Sequence, residues 1–154
     1  MKERKYYQGF FTPRFPEKYK GDVKNIVFRS GWERKLMSWL DENNNVLEWN
    51  SEEIIIPYVS PIDGKRHRYF PDFYMKAITK DGTIKETLME VKPATQTKPP
   101  KQPKRKTKQY LTEVMTWGVN SAKWEAAKNY CGDRGWSFVV VTENELFPRK
   151  VKNG

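Results

Sequence analysis

Two short motifs in this chain carry residue types that suit chemistry: Pro71-Asp72 and Glu90-Val91-Lys92. Residues two apart in a strand share a face, so Glu90 and Lys92 point one way while Met89 and Val91 point the other. Between the motifs stands Asp81-Gly82, a strong hairpin signal, and pairing about that turn brings Asp72 beside Glu90. Two carboxylates and one ammonium in a small patch suit phosphodiester hydrolysis. Converging carboxylates bind one or two hard divalent cations through oxygen. Such a cation polarises a phosphoryl oxygen and lowers the pKa of a bound water. The lysine stabilises developing charge or orients the attacking water. A carboxylate pair alone would repel a nucleic acid, and the metal reverses the local sign. The blander reading of Glu90 and Lys92 is a solvated strand face.

Glu33 is expected to join them. It stands three residues after Ser30, the spacing of a capping box. At about 100° per residue it falls between Met37 and Leu40, inside the apolar arc of its helix. A carboxylate there is costly without a partner, and capping and metal service can coexist in a first turn. The expected catalytic set is therefore Glu33, Asp72, Glu90 and Lys92. The expected ligands of Mg²⁺ (or Mn²⁺) are Asp72, Glu90 and Glu33.

The elements that must position these groups follow from pattern and punctuation. Residues 30–43 form a helix, with Trp32, Leu36, Trp39 and Leu40 at helical spacing. Residues 53–59, 66–75 and 83–92 form three strands in a meander, the second interrupted by Pro71. Residues 93–108 combine four prolines with a run of lysines and read as an extended, mobile basic loop. One helix then ends near Trp117, and a second, capped by Asn120, spans 121–131. Residues 136–142 form a buried strand. Residues 1–25 read as a basic, aromatic arm, 26–147 as the functional domain, and 148–154 as a tail. The fold class is α/β: a single domain with a central mixed β-sheet flanked by helices. Trp32, Trp39, Phe73, Trp124 and Phe138 are expected in its core.

Composition narrows the chemistry. There are 29 Lys and Arg against 19 Asp and Glu, a formal charge of +10, which attracts polyanions. Cys131 is the single cysteine and His67 the single histidine. That excludes an internal disulfide, a Cys₂His₂ zinc site and histidine-dyad catalysis, and fits a reducing compartment. No apolar run is long enough for a membrane span, and no signal peptide is visible. DNA is the expected partner. Lys98, Lys101, Lys104, Arg105, Lys106 and Lys108 of the loop are expected to neutralise phosphates without regard to sequence. Arg66 and Arg68 are expected to flank the scissile phosphate. Lys2, Arg4, Lys5, Tyr6, Tyr7 and Arg14 of the arm are candidates for further DNA contact, or for a protein partner.

The order Glu33 on a helix, Pro71-Asp72, then Glu90-Val91-Lys92 resembles the PD-(D/E)xK nuclease superfamily. The resemblance implies a restriction-endonuclease-like core and Mg²⁺ at the acidic pair. Phe28-Arg29-Ser30-Gly31-Trp32-Glu33 is similar to the first-helix segment of phage junction-resolving endonucleases. Lys123-Trp124-Glu125 and Trp136-Ser137-Phe138-Val139-Val140-Val141-Thr142-Glu143 resemble the transposon-end endonucleases of the Tn7 type. Nearly the whole chain resembles the head-completion nucleases of T-even-type tailed phages. That resemblance implies a metal-dependent endodeoxyribonuclease acting on packaged DNA late in virion assembly. It also implies phage head or portal proteins as partners, location in the host cytoplasm or the virion rather than secretion, and a homodimer as one arrangement. A virion structural DNA-binding protein with a vestigial or secondary nuclease site, and a junction-resolving nuclease, stand as alternatives.

Overall fold

The computed structural model describes residues 8–148. Lys2, Arg4, Lys5, Tyr6 and Tyr7 lie outside the described residues, as does the tail beyond Pro148. The rest of the expected arm packs onto the domain instead of standing apart from it. Strand β1 (Gly9–Phe10) pairs antiparallel with β2 (Val27–Phe28). Between them, 3₁₀ turns form at Pro16–Lys18 and Val23–Asn25. Tyr19 is buried edge-on against Trp49, ring centroids 4.8 Å apart, and Phe11 meets the same indole at 5.9 Å.

Helix α1 (Gly31–Glu42) begins where expected, with Ser30 as N-cap. Its buried face is Leu36, Met37, Leu40 and Asp41. Trp39, expected in the core, is 49% exposed. Trp32 is half-buried, edge-on to Phe147. The C-terminal end of α1 is closed by the preceding segment. The Lys18 ammonium donates to the carbonyls of Leu40, Asp41 and Asn43 at 2.8, 2.6 and 2.9 Å. The buried Asp41 carboxylate accepts the backbone N–H groups of Arg14 and Phe15 at 2.7 and 3.0 Å. The Leu40 and Asp41 carbonyls belong to the last turn, whose carbonyls lack helical partners, and a cation suits the negative end of the helix dipole.

Strand β3 (Val46–Ser51) was not expected. It pairs antiparallel with β6 (Phe73–Ile78). The expected second strand, 66–75, divides at Pro71. Its first part, β5 (Arg66–Tyr69), pairs only with β4 (Ile56–Val59), as a separate two-stranded hairpin. Its second part is β6. The three-strand meander is thus replaced by a projecting hairpin and a central sheet, because proline lacks the N–H that would carry the ladder through. β6 pairs antiparallel with β7 (Ile84–Val91), and β7 pairs parallel with β8 (Ser137–Val141). The central sheet has order β3-β6-β7-β8 and is mixed, as expected.

The two expected helices after the basic loop are one, α2 (Lys108–Arg134). Gly118 and Asn120 do not stop it: glycine within a helix costs only about 1 kcal/mol. Asn120 is not a cap but a buried mid-helix residue. The helix ends at Gly135, whose φ of 72° is the left-handed conformation of a C-terminal cap. A short α3 (Glu143–Leu146) follows β8.

The sheet separates two cores. On one side Phe73, Met89 and Val141 pack with α1, Trp49 and Tyr19. On the other Tyr74 and Leu88 pack with Trp124, Ala127 and Cys131 of α2 and with Ile56 and Tyr69 of the hairpin. No helix among the described residues is long and apolar enough to cross a membrane.

The Lys18 cap is open to test. Lys18→Met strands the Leu40 and Asp41 carbonyls, while the Asn43 carbonyl keeps the Val46 N–H at 3.0 Å; an expected loss of about 1–3 kcal/mol in urea unfolding follows. The exposed neighbour variant Lys20→Met should stay within about 0.5 kcal/mol of wild type. Equal effects of the two would mean that the cap contributes nothing.

Candidate active site

The register of β6 and β7 decides where the acids fall. Phe73 faces Met89, and the pairing runs without a break to Ile78 and Ile84. Gly82, at φ 84°, gives the turn its left-handed residue. One step beyond Phe73 and Met89, the same register sets Asp72 opposite Glu90. Asp72 stands just before β6 and is tied on both sides. Its Oδ2 accepts the N–H of Val91 at 2.8 Å, and its carbonyl accepts the N–H of Glu52 at 3.2 Å.

Glu90 is only 7% exposed. Its Oε1 accepts the Tyr69 hydroxyl at 2.6 Å, and its Oε2 lies 3.8 Å from the Lys92 ammonium. Burial pushes the Asp72 carboxyl well above the usual range, and the charge of Glu90 adds to the push; the Val91 N–H opposes it. Glu90 is raised by burial, against the Tyr69 hydroxyl, Lys92 and Lys123. Burial and then the neighbouring Glu90 also raise the Tyr69 phenol far up, so it remains a donor.

Glu33 is half-buried at the head of α1. Its backbone N–H donates to Ser30 Oγ at 3.1 Å, and the Ser30 hydroxyl donates to Oε2 at 3.4 Å. Oε1 accepts the N–H of Arg29 at 3.2 Å. The carboxyl is raised, mainly by burial and next, among the raising influences, by the charge of Glu52. Its own charge is felt at both Asp72 and Glu90. Each Glu33 oxygen thus accepts one hydrogen bond at the helix terminus. Among the described residues no group of three acidic, histidine or cysteine side chains is placed to hold a metal ion. Glu33 stands near enough to the acidic pair for its charge to act on both Asp72 and Glu90.

The pair itself fits a magnesium ion. Among the described residues, Asp72 Oδ1 and Glu90 Oε2 accept no hydrogen bond, and both belong to raised carboxyls that repel one another when ionised. Mg²⁺ is commonly held by one or two carboxylates while keeping several waters.

Four contributors were missed from sequence. Tyr69 carries no motif. Arg29 links two acids: its N–H binds Glu33 and its guanidinium pairs with Glu52. Glu52 itself is held at φ 56°, a left-handed conformation rare for a residue with a side chain. Lys123 lies at the edge of the buried stripe Asn120, Trp124, Ala127 and Cys131. Its signal was the one used for Glu33, a charge placed beside the buried arc of a helix.

The expected DNA-contact residues are displayed outward. Lys98, Lys101, Lys104, Arg105, Lys106 and Lys108 are all exposed, and none is ion-paired among the described residues. The loop leaves the site anchored by the Ala94 N–H on Glu143 Oε1 at 2.7 Å, then a 3₁₀ turn at Ala94–Thr97. Arg66 and Arg68 alternate on β5 with His67 and Tyr69 and so occupy the hairpin's outer face. Arg68 lies over Phe70 at 5.9 Å. His67 pairs with Asp63 at 2.8 Å, outside the acidic patch. Arg14 pairs with Glu42 at 3.3 Å.

Comparison with known proteins bears on the same region. The family described as TnsA-like endonuclease N terminal matches residues 43–143, which include Asp72, Glu90 and Lys92. The head completion nuclease of Enterobacteria phage T4 is 40% identical over 144 residues, covering 91% of this chain and 93% of that protein. No solved structure is significantly similar.

The repulsion between Asp72 and Glu90 has a measurable sign. Both carboxyls sit above their ordinary values, so folding takes up protons between about pH 4, where unfolded carboxylates titrate, and the raised folded values. Stability in EDTA therefore falls as pH rises through that window. Asp72→Asn should shrink the fall and raise stability near pH 8 by on the order of 1 kcal/mol. Denaturant unfolding near pH 5 and pH 8 measures this, and a variant less stable than wild type near pH 8 would contradict the repulsion.

Proposed function

The chain belongs to the TnsA-like endonuclease family, and we propose that it cleaves DNA by divalent-metal-assisted hydrolysis at Asp72, Glu90 and Lys92. The observation that carries this reading is the buried, like-charged pair Asp72 and Glu90 beside a lysine in a chain of net charge +10. Such a pair is unfavourable unless a cation offsets it. Asp72 and Glu90 would hold Mg²⁺ or Mn²⁺ through their free oxygens. When bound, the ion would supply Lewis-acid activation of the phosphodiester.

The remaining work belongs to the chain's own groups. The Val91 N–H fixes Asp72, and the Tyr69 hydroxyl fixes Glu90, so each carboxylate keeps one oxygen turned inward. Lys92 is held near Glu90, close enough to meet charge building on the phosphoryl oxygens. Glu33 tunes the field from the helix terminus and positions Arg29. The basic loop and the outer face of the hairpin would hold the DNA backbone by phosphate contacts. The T4 relative is named for head completion, which supports a step at phage head completion on packaged DNA. Head or portal proteins are the proposed neighbours there, and the host cytoplasm the proposed place.

Cleavage of supercoiled plasmid and branched DNA tests the proposal. Nicking or linearisation with Mg²⁺ is expected, none with EDTA, and none from Asp72→Ala that still folds and binds DNA. Glu33→Ala should slow cleavage by about 10- to 100-fold, the usual range for a residue that orients ligands without being one. Cleavage by Asp72→Ala at the wild-type rate would sink the assignment. The loop has its own test. Replacing Lys101, Lys104, Arg105 and Lys106 with Gln should flatten the plot of log binding constant against log salt by about 0.9 for each phosphate the loop no longer neutralises. An unchanged slope removes the loop from the interface.

A further inference from the structure

Lys123 is a cation placed at the acidic site from the opposite wall. It projects from the middle of α2, while Lys92 comes from β7. Its ammonium lies 5.8 Å from the centre of the Tyr58 ring and 5.7 Å from that of Tyr69. Those two rings come from the paired strands β4 and β5. Tyr58 faces His67, and Ile56 faces Tyr69, so both tyrosines stand on the hairpin face turned toward α2. The Tyr69 hydroxyl in turn donates to Glu90 at 2.6 Å. A short chain of contacts thus runs from the Lys123 ammonium, across an aromatic ring, to a carboxylate of the candidate active site.

What Lys123 lacks is as informative as what it touches. It is half-buried, yet among the described residues it forms no ion pair and no hydrogen bond. The faces of two aromatic rings attract a cation, but they accept none of its three N–H donors in the way an oxygen does. An ammonium held by its stem and by ring faces, with its donors unspent, is prepared for an anion arriving from outside. Lys92 is not in that position, since Glu90 Oε2 already lies 3.8 Å from it.

We propose that Lys123 binds a non-bridging oxygen of a DNA backbone phosphate beside the scissile one, with Tyr58 and Tyr69 setting its direction. The proposal rests on the DNA-cleaving reading above. It gives α2 a part in substrate binding that the loop lysines do not fill: they hold the duplex by diffuse charge, whereas Lys123 fixes one phosphate next to the acids.

Equilibrium binding of a duplex oligonucleotide in EDTA, across a range of salt, separates this contact from catalysis. Lys123→Gln should lower the slope of log binding constant against log salt by about 0.9, the release expected for one phosphate contact. It should also weaken binding about 3- to 10-fold near 0.1 M salt. Lys123→Met, which keeps the stem between the rings, should match it. Lys123→Arg should restore the slope, since a guanidinium suits both the rings and a phosphate. Lys128→Gln, an exposed site on the same helix, should leave the slope unchanged. Thermal unfolding of each variant, within a few degrees of wild type, confirms that the fold persists.

An unchanged slope in both Lys123→Gln and Lys123→Met, with wild type binding normally, overturns the inference and leaves the nuclease reading intact. An equal drop in Lys128→Gln overturns it as well, because the effect would then be diffuse charge. Failure of wild type to bind DNA at all would overturn the DNA reading and this inference with it.

Discussion

The pairing of β6 with β7 holds together two carboxylates that would otherwise separate. Asp72 and Glu90 repel each other in a partly desolvated place, and each has a carboxyl raised by that environment. What opposes the repulsion is not local. Along the same two strands Phe73, Tyr74, Leu88 and Met89 are buried on alternating faces, against α1 on one side and α2 on the other. Each such side chain contributes about 1.5–3 kcal/mol of burial. A one-residue slip in register would turn every one of them to the wrong face. The cores on both sides therefore set the register, and the register places the acids whether or not they favour it.

Charge is divided in a way that makes this arrangement useful. The excess of positive residues lies on the surface, in the loop after Lys92 and on the outer face of the hairpin, where salt screens it and it acts at long range. Asp72, Glu90 and Glu33 instead sit where water is partly excluded and each interaction is stronger. A polyanion is drawn toward the molecule as a whole and then meets a local negative centre. That conflict is eased by whatever lowers the local negative charge: a proton on one of the raised carboxyls, the nearby Lys92 ammonium, or the divalent cation of the proposed reaction. Tyr69 and the Val91 N–H neutralise nothing, but each takes up one oxygen of one carboxylate and so fixes its position.

The central hairpin was legible in the sequence because its main signal is local: an Asp81-Gly82 turn between two runs of strand-forming residues. The capped start of α1 was legible for the same reason. What was not legible depended on partners distant in sequence. β3 carries Val46, Leu47 and Trp49 out of alternation, since the register shifts between Val46 and Glu48, and a bulge breaks the period-two pattern. Pro71 was read as a distortion within one strand, although it marks the passage from one sheet to another. Gly118 and Asn120 carry stop signals that packing of α2 against the hairpin and sheet overrides. Of the site, Asp72, Glu90 and Lys92 were visible as motifs. Tyr69 and Glu52 carry no motif, and Arg29 and Lys123 stand in resembling segments without a role attached, because each acts through a contact made only once the chain has folded.

Glu33 shows how a structural duty and a site duty can share one side chain. The position of its carboxylate depends on α1 being fixed at both ends. At the far end, Lys18 closes three carbonyls and Asp41 takes two N–H groups from the segment before it. At the near end, Ser30 and Arg29 hold both carboxylate oxygens. The guanidinium of Arg29 reaches on to Glu52, whose own N–H supports the Asp72 carbonyl. Glu52 holds a left-handed backbone that costs about 1 kcal/mol or more, and in that conformation it joins the helix terminus to the strand bearing Asp72. The helix cap and the acidic pair are therefore one connected network.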